Sequence, residues 1–205
     1  MNPPLILTIL ASPRLDGLTA GLLERAEQAV TDNGCRIERV NVSLLEFRHC
    51  MGCMKCRTER YCCLAADDAH RFATLLMKAD GLIIATPTYW GGVPGQLKSL
   101  FDRSVYALVD TSDAEKLVPQ PLHRKVPASL IITSTAPWPA NVMPRFTDTA
   151  GDLNRILRPS GFSTDILRVG GTRTIATPFD KTLAAAARIG RDTAVKALRH
   201  TSASR

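Results

Sequence analysis

The feature that most constrains the fold is a set of unbroken apolar runs, each closed by a turn signal. LILTIL (Leu5–Leu10), LIIAT (82–86) and SLIITS (129–134) carry no charge and few polar side chains. A strand with one face in water alternates apolar and polar residues. Runs this uniform need cover on both faces, as in a parallel sheet between two helical layers. CRIERVNV (35–42), with charges that suit a sheet edge, and DILRVG (165–170) complete the strand set. Between the strands the spacing is helical. Leu18, Leu22, Ala26 and Val30 fall four apart, and Asn33 with Gly34 ends that helix as a left-handed C-cap does. Phe72, Leu75, Leu76 and Ala79 face inward from a helix over 68–79. Leu97, Leu100, Phe101, Val105 and Leu108 form a further stripe. A helix over 146–157 and a last one over 180–200, with Leu183, Ala187, Ala194 and Leu198 on one face, close the pattern. Strand followed by helix five times predicts an α/β three-layer sandwich around a five-stranded parallel sheet.

The 205 residues suit one such domain over 1–205, with a cysteine-rich loop at 43–66 and a polar, proline-bearing surface excursion at 109–127. No apolar run reaches the roughly 20 residues that span a bilayer, so no membrane partner is expected. The first apolar stretch has no Lys or Arg before it, which favours a buried strand over a signal peptide and predicts a cytoplasmic protein. The net charge of +7 suits either nucleic acid or a phosphate-bearing ligand. Aromatics make up only 5% and no basic run is interleaved with them, so no nucleic-acid partner is expected. The six Lys/Arg between 181 and 205 read as a solvated helix face and tail.

In open parallel sheets ligands sit at the carboxyl ends of the strands. The loop after the first strand, SPRLDGLT (12–19), offers hydroxyls at Ser12 and Thr19, a guanidinium at Arg14 and the backbone N–H groups of a helix start. These suit an anion, and an Arg beside them can grip a terminal phosphate. An ordinary strand-to-helix turn capped by Thr19 is the alternative. The loop after the third strand, TPTYWGGVPG (86–95), holds Tyr89 and Trp90 at the tip of a turn made by Pro87, Gly91 and Gly92. A flat aromatic ligand would explain the two rings by stacking; packing on a neighbouring subunit would also do so.

With these residues in view, the chain resembles the flavodoxin-like NAD(P)H-dependent FMN reductase and quinone reductase family. SPRLDGLTA, TPTYWGGVPGQLKSLFDR and STAPWP (134–139) match it in order and at the right strand ends. The resemblance implies a strand order 2-1-3-4-5. It implies that Ser12, Arg14, Thr19 and the backbone of Leu18 bind the FMN phosphate. Position 18 often carries Asn or Ser in that family, so a side-chain contact is lost here. Pro87, Thr88, Tyr89, Trp90, Gly91 and Gly92 would cradle the isoalloxazine ring, with Ser134, Thr135 and Ala136 closing the other side. The activity implied is passage of electrons from NAD(P)H to a quinone, a flavin or another small acceptor. No catalytic side chain is expected, because ring atom N5 carries the hydride chemistry. A homodimer or homotetramer is expected, with apolar surface near the flavin edge meeting a second copy.

Five of the six cysteines lie in CMGCMKCRTERYCC (50–63). The spacing Cys50-x2-Cys53-x2-Cys56-x5-Cys62 resembles that of the iron–sulfur flavoproteins, a branch of this fold that carries a [4Fe–4S] cluster beside FMN. Cys63 competes with Cys62 as the fourth ligand. A metal-free thiol or disulfide segment and a zinc site are the other readings. Cys35 reads as core, His49 as exposed, Asp67 and Asp68 as caps of the next helix. Trp138, between prolines, reads either as a pocket wall or as structural.

Overall fold

The computed structural model describes residues 2–110, 112, 118–173 and 180–203. Among these residues, seven strands and six α-helices follow in the order β1 (Leu5–Leu10), α1 (Leu18–Asp32), β2 (Arg36–Asn41), α2 (Cys56–Glu59), α3 (Asp68–Lys78), β3 (Gly81–Pro87), α4 (Gly95–Arg103), β4 (Val109–Asp110), β5 (Gln120–Pro121), β6 (Val126–Thr133), α5 (Thr149–Leu157), β7 (Phe162–Val169) and α6 (Asp180–Ala203). The main sheet runs β2-β1-β3-β6-β7, all parallel. The expected order 2-1-3-4-5 counts the sheet strands alone. The small antiparallel pair β4 and β5, which the sequence did not signal, shifts the numbering.

The apolar runs are buried because each is covered twice. Every residue of β1 and β6 is buried. Ile6, Leu10 and Ile83 pack against Leu22 and Ala26 of α1 and Ala186 and Ala194 of α6 on one face. Leu7, Ile84 and Leu130 pack against Phe72 of α3, Leu97 of α4 and Leu153 of α5 on the other. β2 lies at an edge, with one buried residue, as its charges predict. Gly34 ends α1 at φ +76°, the left-handed cap expected of it. Cys35 is core.

Helix α6 keeps its expected face in part: Leu183 and Ala194 pack on the core, but the centre of the face is shifted. Ala186, Ile189, Gly190, Thr193, Ala194 and Ala197 point inward, whereas Leu198 is exposed. Small residues win because α6 lies directly on α1: a Cβ on Gly190 would collide with the backbone of Ala26. Large side chains on that stripe would push the helices apart. Helix α5 starts at Thr149 rather than 146. Within 109–127, His123 is buried, its ring 4.2 Å from that of Phe162 and its backbone N–H donating to Ser160 O at 3.1 Å. Residues 111 and 113–117 of that stretch lie outside the described residues, as do the last two residues of the basic tail.

Candidate functional site

Because the sheet is parallel, the loops after β1, β3 and β6 emerge from the same edge. Thr133, the last residue of β6, ties them together. Its buried hydroxyl meets that of Thr19 at 2.8 Å, and its carbonyl accepts from Thr88 N–H at 2.8 Å. Thr88 in turn shares a hydroxyl contact of 3.0 Å with Thr149 at the start of α5. In the first loop, Ser12 Oγ accepts from Arg14 N–H at 3.2 Å, which folds the turn back on itself. Gly17, not Thr19, is the N-cap of α1, and no side chain caps the helix. The first turn of α1 therefore lacks a capping side chain, and the exposed Arg14 lies three residues before its N-cap.

The second loop is a two-residue reverse turn. Tyr89 and Gly92 exchange backbone hydrogen bonds of 2.9 and 3.0 Å, with Trp90 (φ +50°) and Gly91 (φ +81°) between them. A bulky residue in the left-handed region is uncommon, and here it throws the Trp90 ring fully into solvent. The turn is clamped from behind. Asp148 N–H donates to Gly91 O at 2.6 Å and Asp152 Oδ2 accepts from Val93 N–H at 3.2 Å. A Cβ on Gly91 would stand 2.8 Å from Phe146 O, a backbone atom ahead of α5, so that position needs glycine; one on Gly92 would stand 2.7 Å from Oδ2 at the flexible end of the Asp152 side chain. In the third loop, Ser134 N–H donates to Val169 O at 2.9 Å and its hydroxyl accepts from Ala136 N–H at 3.1 Å. Ser134 is buried, Thr135 is exposed and Trp138 is exposed, so Trp138 is not held in a core.

The cysteine segment packs elsewhere, at the far end of α4. A cavity of about 140 Å³ is walled by Cys50, Cys53, Cys56, Cys62 and Cys63 together with Arg103. Burial pushes the Cys56 thiol up, and the nearby sulfurs of Cys50, Cys62 and Cys53 push it further. Among the described residues, no three His, Cys, Asp or Glu side chains are gathered as metal ligands, so neither the zinc reading nor the expected cluster set of Cys50, Cys53, Cys56 and Cys62 finds a ready-formed site. Cys53 and Cys63 touch, with their sulfurs 3.5 Å apart.

Arg103 and Asp67 hold this segment in place. Arg103 is buried and grips both Asp67 oxygens at 2.9 and 3.1 Å, while also donating to Arg48 O. Its Nε is buried with no hydrogen-bond acceptor. Burial opposes its charge, but Asp67 and the Cys62 sulfur outweigh that and raise its pKa. Asp67 is the N-cap of α3, accepting from Ala69 N–H at 3.1 Å, and it also takes Arg48 N–H at 3.2 Å. Burial works against its carboxylate; Arg103, Arg48 N–H and His70 overcome it, so its pKa is lowered. Burial, then the Cys62 charge, pushes the Tyr106 hydroxyl up to about 12.

A model of the NADPH-dependent FMN reductase family matches residues 4–140, which carry β1 through β6 and the three loops. The chain belongs to that family. It is 36% identical over 99 residues to an iron–sulfur flavoprotein of Methanocaldococcus jannaschii, covering 48% of this chain and 51% of that protein. It is 35% identical over 97 residues to one of Methanosarcina thermophila, covering 47% and 50%. The chain spans about half the length of these curated relatives. Among solved structures, an NAD(P)H:quinone oxidoreductase from Methanothermobacter marburgensis superposes with a TM-score of 0.67 at 17% identity, over 93% of this chain and 98% of that one. The fold is flavodoxin-like.

Within this FMN reductase fold, the thirteen residues expected at the cofactor fall on the three loops tied together at Thr133. The Thr19 hydroxyl is turned to Thr133 of the sheet and not to the loop. Sequence reasoning missed Thr133, Asp148 and Asp152, which hold the loops, and Arg103, which lines the cysteine cavity. Thr133 reads as one more strand residue and Arg103 as a helix-end cation; only packing reveals their partners. His49 is exposed, as expected, with Nδ1 at 2.6 Å from Ser99 Oγ.

Proposed function

We propose that the chain is an FMN-dependent oxidoreductase that takes electrons from NAD(P)H and passes them to a quinone, a free flavin or another small acceptor. The carrying observation is the convergence of three strand-end loops on Thr133, which puts an uncapped helix start, an aromatic turn and a third backbone shelf along one edge. FMN held there would supply hydride transfer at its ring N5. The chain's own task is positioning. Ser12, Arg14 and the N–H groups of Leu18 and Thr19 hold the phosphate, where the helix dipole and the guanidinium favour a dianion. Pro87, Thr88, Tyr89, Trp90, Gly91 and Gly92 hold the ring from one side, and Ser134, Thr135 and Ala136 from the other. No side chain need move a proton, and donor and acceptor use the open edge in turn, which gives ping-pong kinetics. The protein works in the cytoplasm as a homo-oligomer. Steady-state oxidation of NADH and of NADPH with a quinone tests the activity; parallel double-reciprocal lines are expected, and no FMN-dependent oxidation with either donor would refute it. Arg14→Ala should weaken FMN binding about 10- to 100-fold, the worth of a charge-assisted hydrogen bond. Unchanged affinity would remove Arg14 from the site.

The cysteine cavity favours a second reading, electron transfer through a [4Fe–4S] cluster on Cys50, Cys53, Cys56 and Cys62. Five cysteines around one cavity, in a chain similar to iron–sulfur flavoproteins, support this reading, although among the described residues they are not gathered as a metal-ligand set. A cluster would supply one-electron transfer, the four thiolates would anchor it, and Arg103 would hold the Cys62 corner. The cavity lies at the C-terminal end of α4, and the flavin turn precedes its N-terminus; nine residues separate them by about 13 Å along the axis. Anaerobic reconstitution should then load about four irons per chain. Cys62→Ser should cost iron where Cys63→Ser does not.

A further inference from the structure

Of the five clustered thiols, Cys53 and Cys63 are the two whose sulfurs are in contact, 3.5 Å apart, among the described residues. Both are exposed, whereas Cys56 and Cys62 are partly covered and Cys50 takes Gly52 N–H at 3.4 Å. The chain between them doubles back through left-handed residues at Met54 (φ +62°) and Arg60 (φ +53°) around the short helix α2. That hairpin-like path sets the two side chains face to face in a segment open to solvent. A disulfide needs the sulfurs at about 2.05 Å, so an approach of roughly 1.5 Å closes the bond.

We propose that Cys53 and Cys63 form a reversible disulfide on exposure to a hydroperoxide, and that this bond and a metal cluster anchored on Cys53 exclude one another. The first clause stands on the thiol contact alone; the second rests on the cluster reading above. In the step, two S–H bonds and the peroxide O–O bond break and one S–S bond forms. The two thiols lose two electrons and two protons, and the peroxide takes them up. Hydrogen peroxide leaves as two waters. A dithiol returns the pair to its reduced state by exchange. Cys53 would then sit at a fork: bound to iron it is withheld from Cys63, and bound to Cys63 it cannot anchor iron.

The test uses the full-length FMN-loaded protein, reduced, stripped of metal by a chelator and exposed to one equivalent of hydrogen peroxide. Free thiols should fall from six to four. An unreduced tryptic map should show the peptide 49–55 joined to 61–71, a link that dithiothreitol releases. Cys53→Ser and Cys63→Ser should each abolish the link, while Cys50→Ser and Cys62→Ser should keep it. A link that survives in Cys63→Ser, or thiols that oxidise to sulfinic acid without any link, overturns the disulfide. Protein reconstituted with iron and sulfide should resist the link until the iron is chelated. Iron retained while the link forms at the metal-free rate overturns the exclusion. Reconstitution that loads no iron refutes the cluster reading and the exclusion with it, and the peptide map of the metal-free protein still decides the disulfide.

Discussion

Thr133 does more at the site than any residue that faces outward. Its hydroxyl and carbonyl each hold a different loop, so the strand-end edge is assembled from inside the sheet. Thr133→Val removes the partner of a buried Thr19 hydroxyl and should cost about 1–3 kcal/mol of stability, read by chemical denaturation. FMN affinity should fall with it; an unchanged affinity would mean that the first loop keeps its place without Thr133. Asp67 plays the same part for the cysteine segment. Its carboxyl pKa is lowered in the folded chain, so the stability it contributes is full above about pH 4 and is lost as pH falls through the folded value. Asp67→Asn leaves Arg103 buried without its counter-charge and should destabilise by about 3–5 kcal/mol at pH 7. Its stability should also fall less steeply below pH 4 than that of the unmodified chain. Parallel acid limbs in the two proteins would show that Asp67 is not the group responsible. At this scale the sequence was legible only in part. Ser12, Arg14 and Gly91 announce themselves by type and place in a loop, whereas Thr133 and Arg103 owe their roles to neighbours far along the chain.

Among the elements, β1, β3 and β6 were the most legible, because a strand covered on both faces leaves a short apolar run, and the turn signals that bound each run make it too short for a core helix. The α6 face was legible only in part for the opposite reason: Leu183 and Ala194 do pack inward, but the stripe is mostly Ala, Gly and Thr, and the larger Leu198 lies outside it. A face chosen for close approach carries small side chains, which hydrophobic periodicity underweights. Gly190→Leu should separate α1 from α6 and destabilise by about 1–3 kcal/mol by overpacking, again read by denaturation. A neutral result would mean that the two helices have room to spare. The β4–β5 pair left no signal, since two residues per strand are too few for any period. The Trp90–Gly91 turn was half legible: the glycines marked it, but its clamping by α5 depends on Asp148 and Asp152, more than fifty residues on.

At the scale of the whole molecule, the strand-end edge proposed to hold FMN is also where large apolar side chains stand in water. Trp90 and Trp138 are exposed, as are Val142, Met143 and Phe146, and Gly91 lies against Phe146. A patch of this kind beside a binding site marks an interface. The chain should run as a dimer or tetramer by light scattering, and Trp90→Ser with Trp138→Ser should shift it toward monomer. A monomer in the unmodified protein would leave those rings to the substrate alone.

The central claim is that this edge holds FMN and lets a nicotinamide reach it. The measurement that tests it most directly is an anaerobic titration of the FMN-loaded protein with NADPH and, separately, with NADH. The visible flavin bands should bleach with one equivalent of at least one donor per bound FMN, and a quinone should restore them. A chain that binds no FMN, or whose bound FMN keeps its oxidised spectrum in excess NADPH and NADH, would contradict the account.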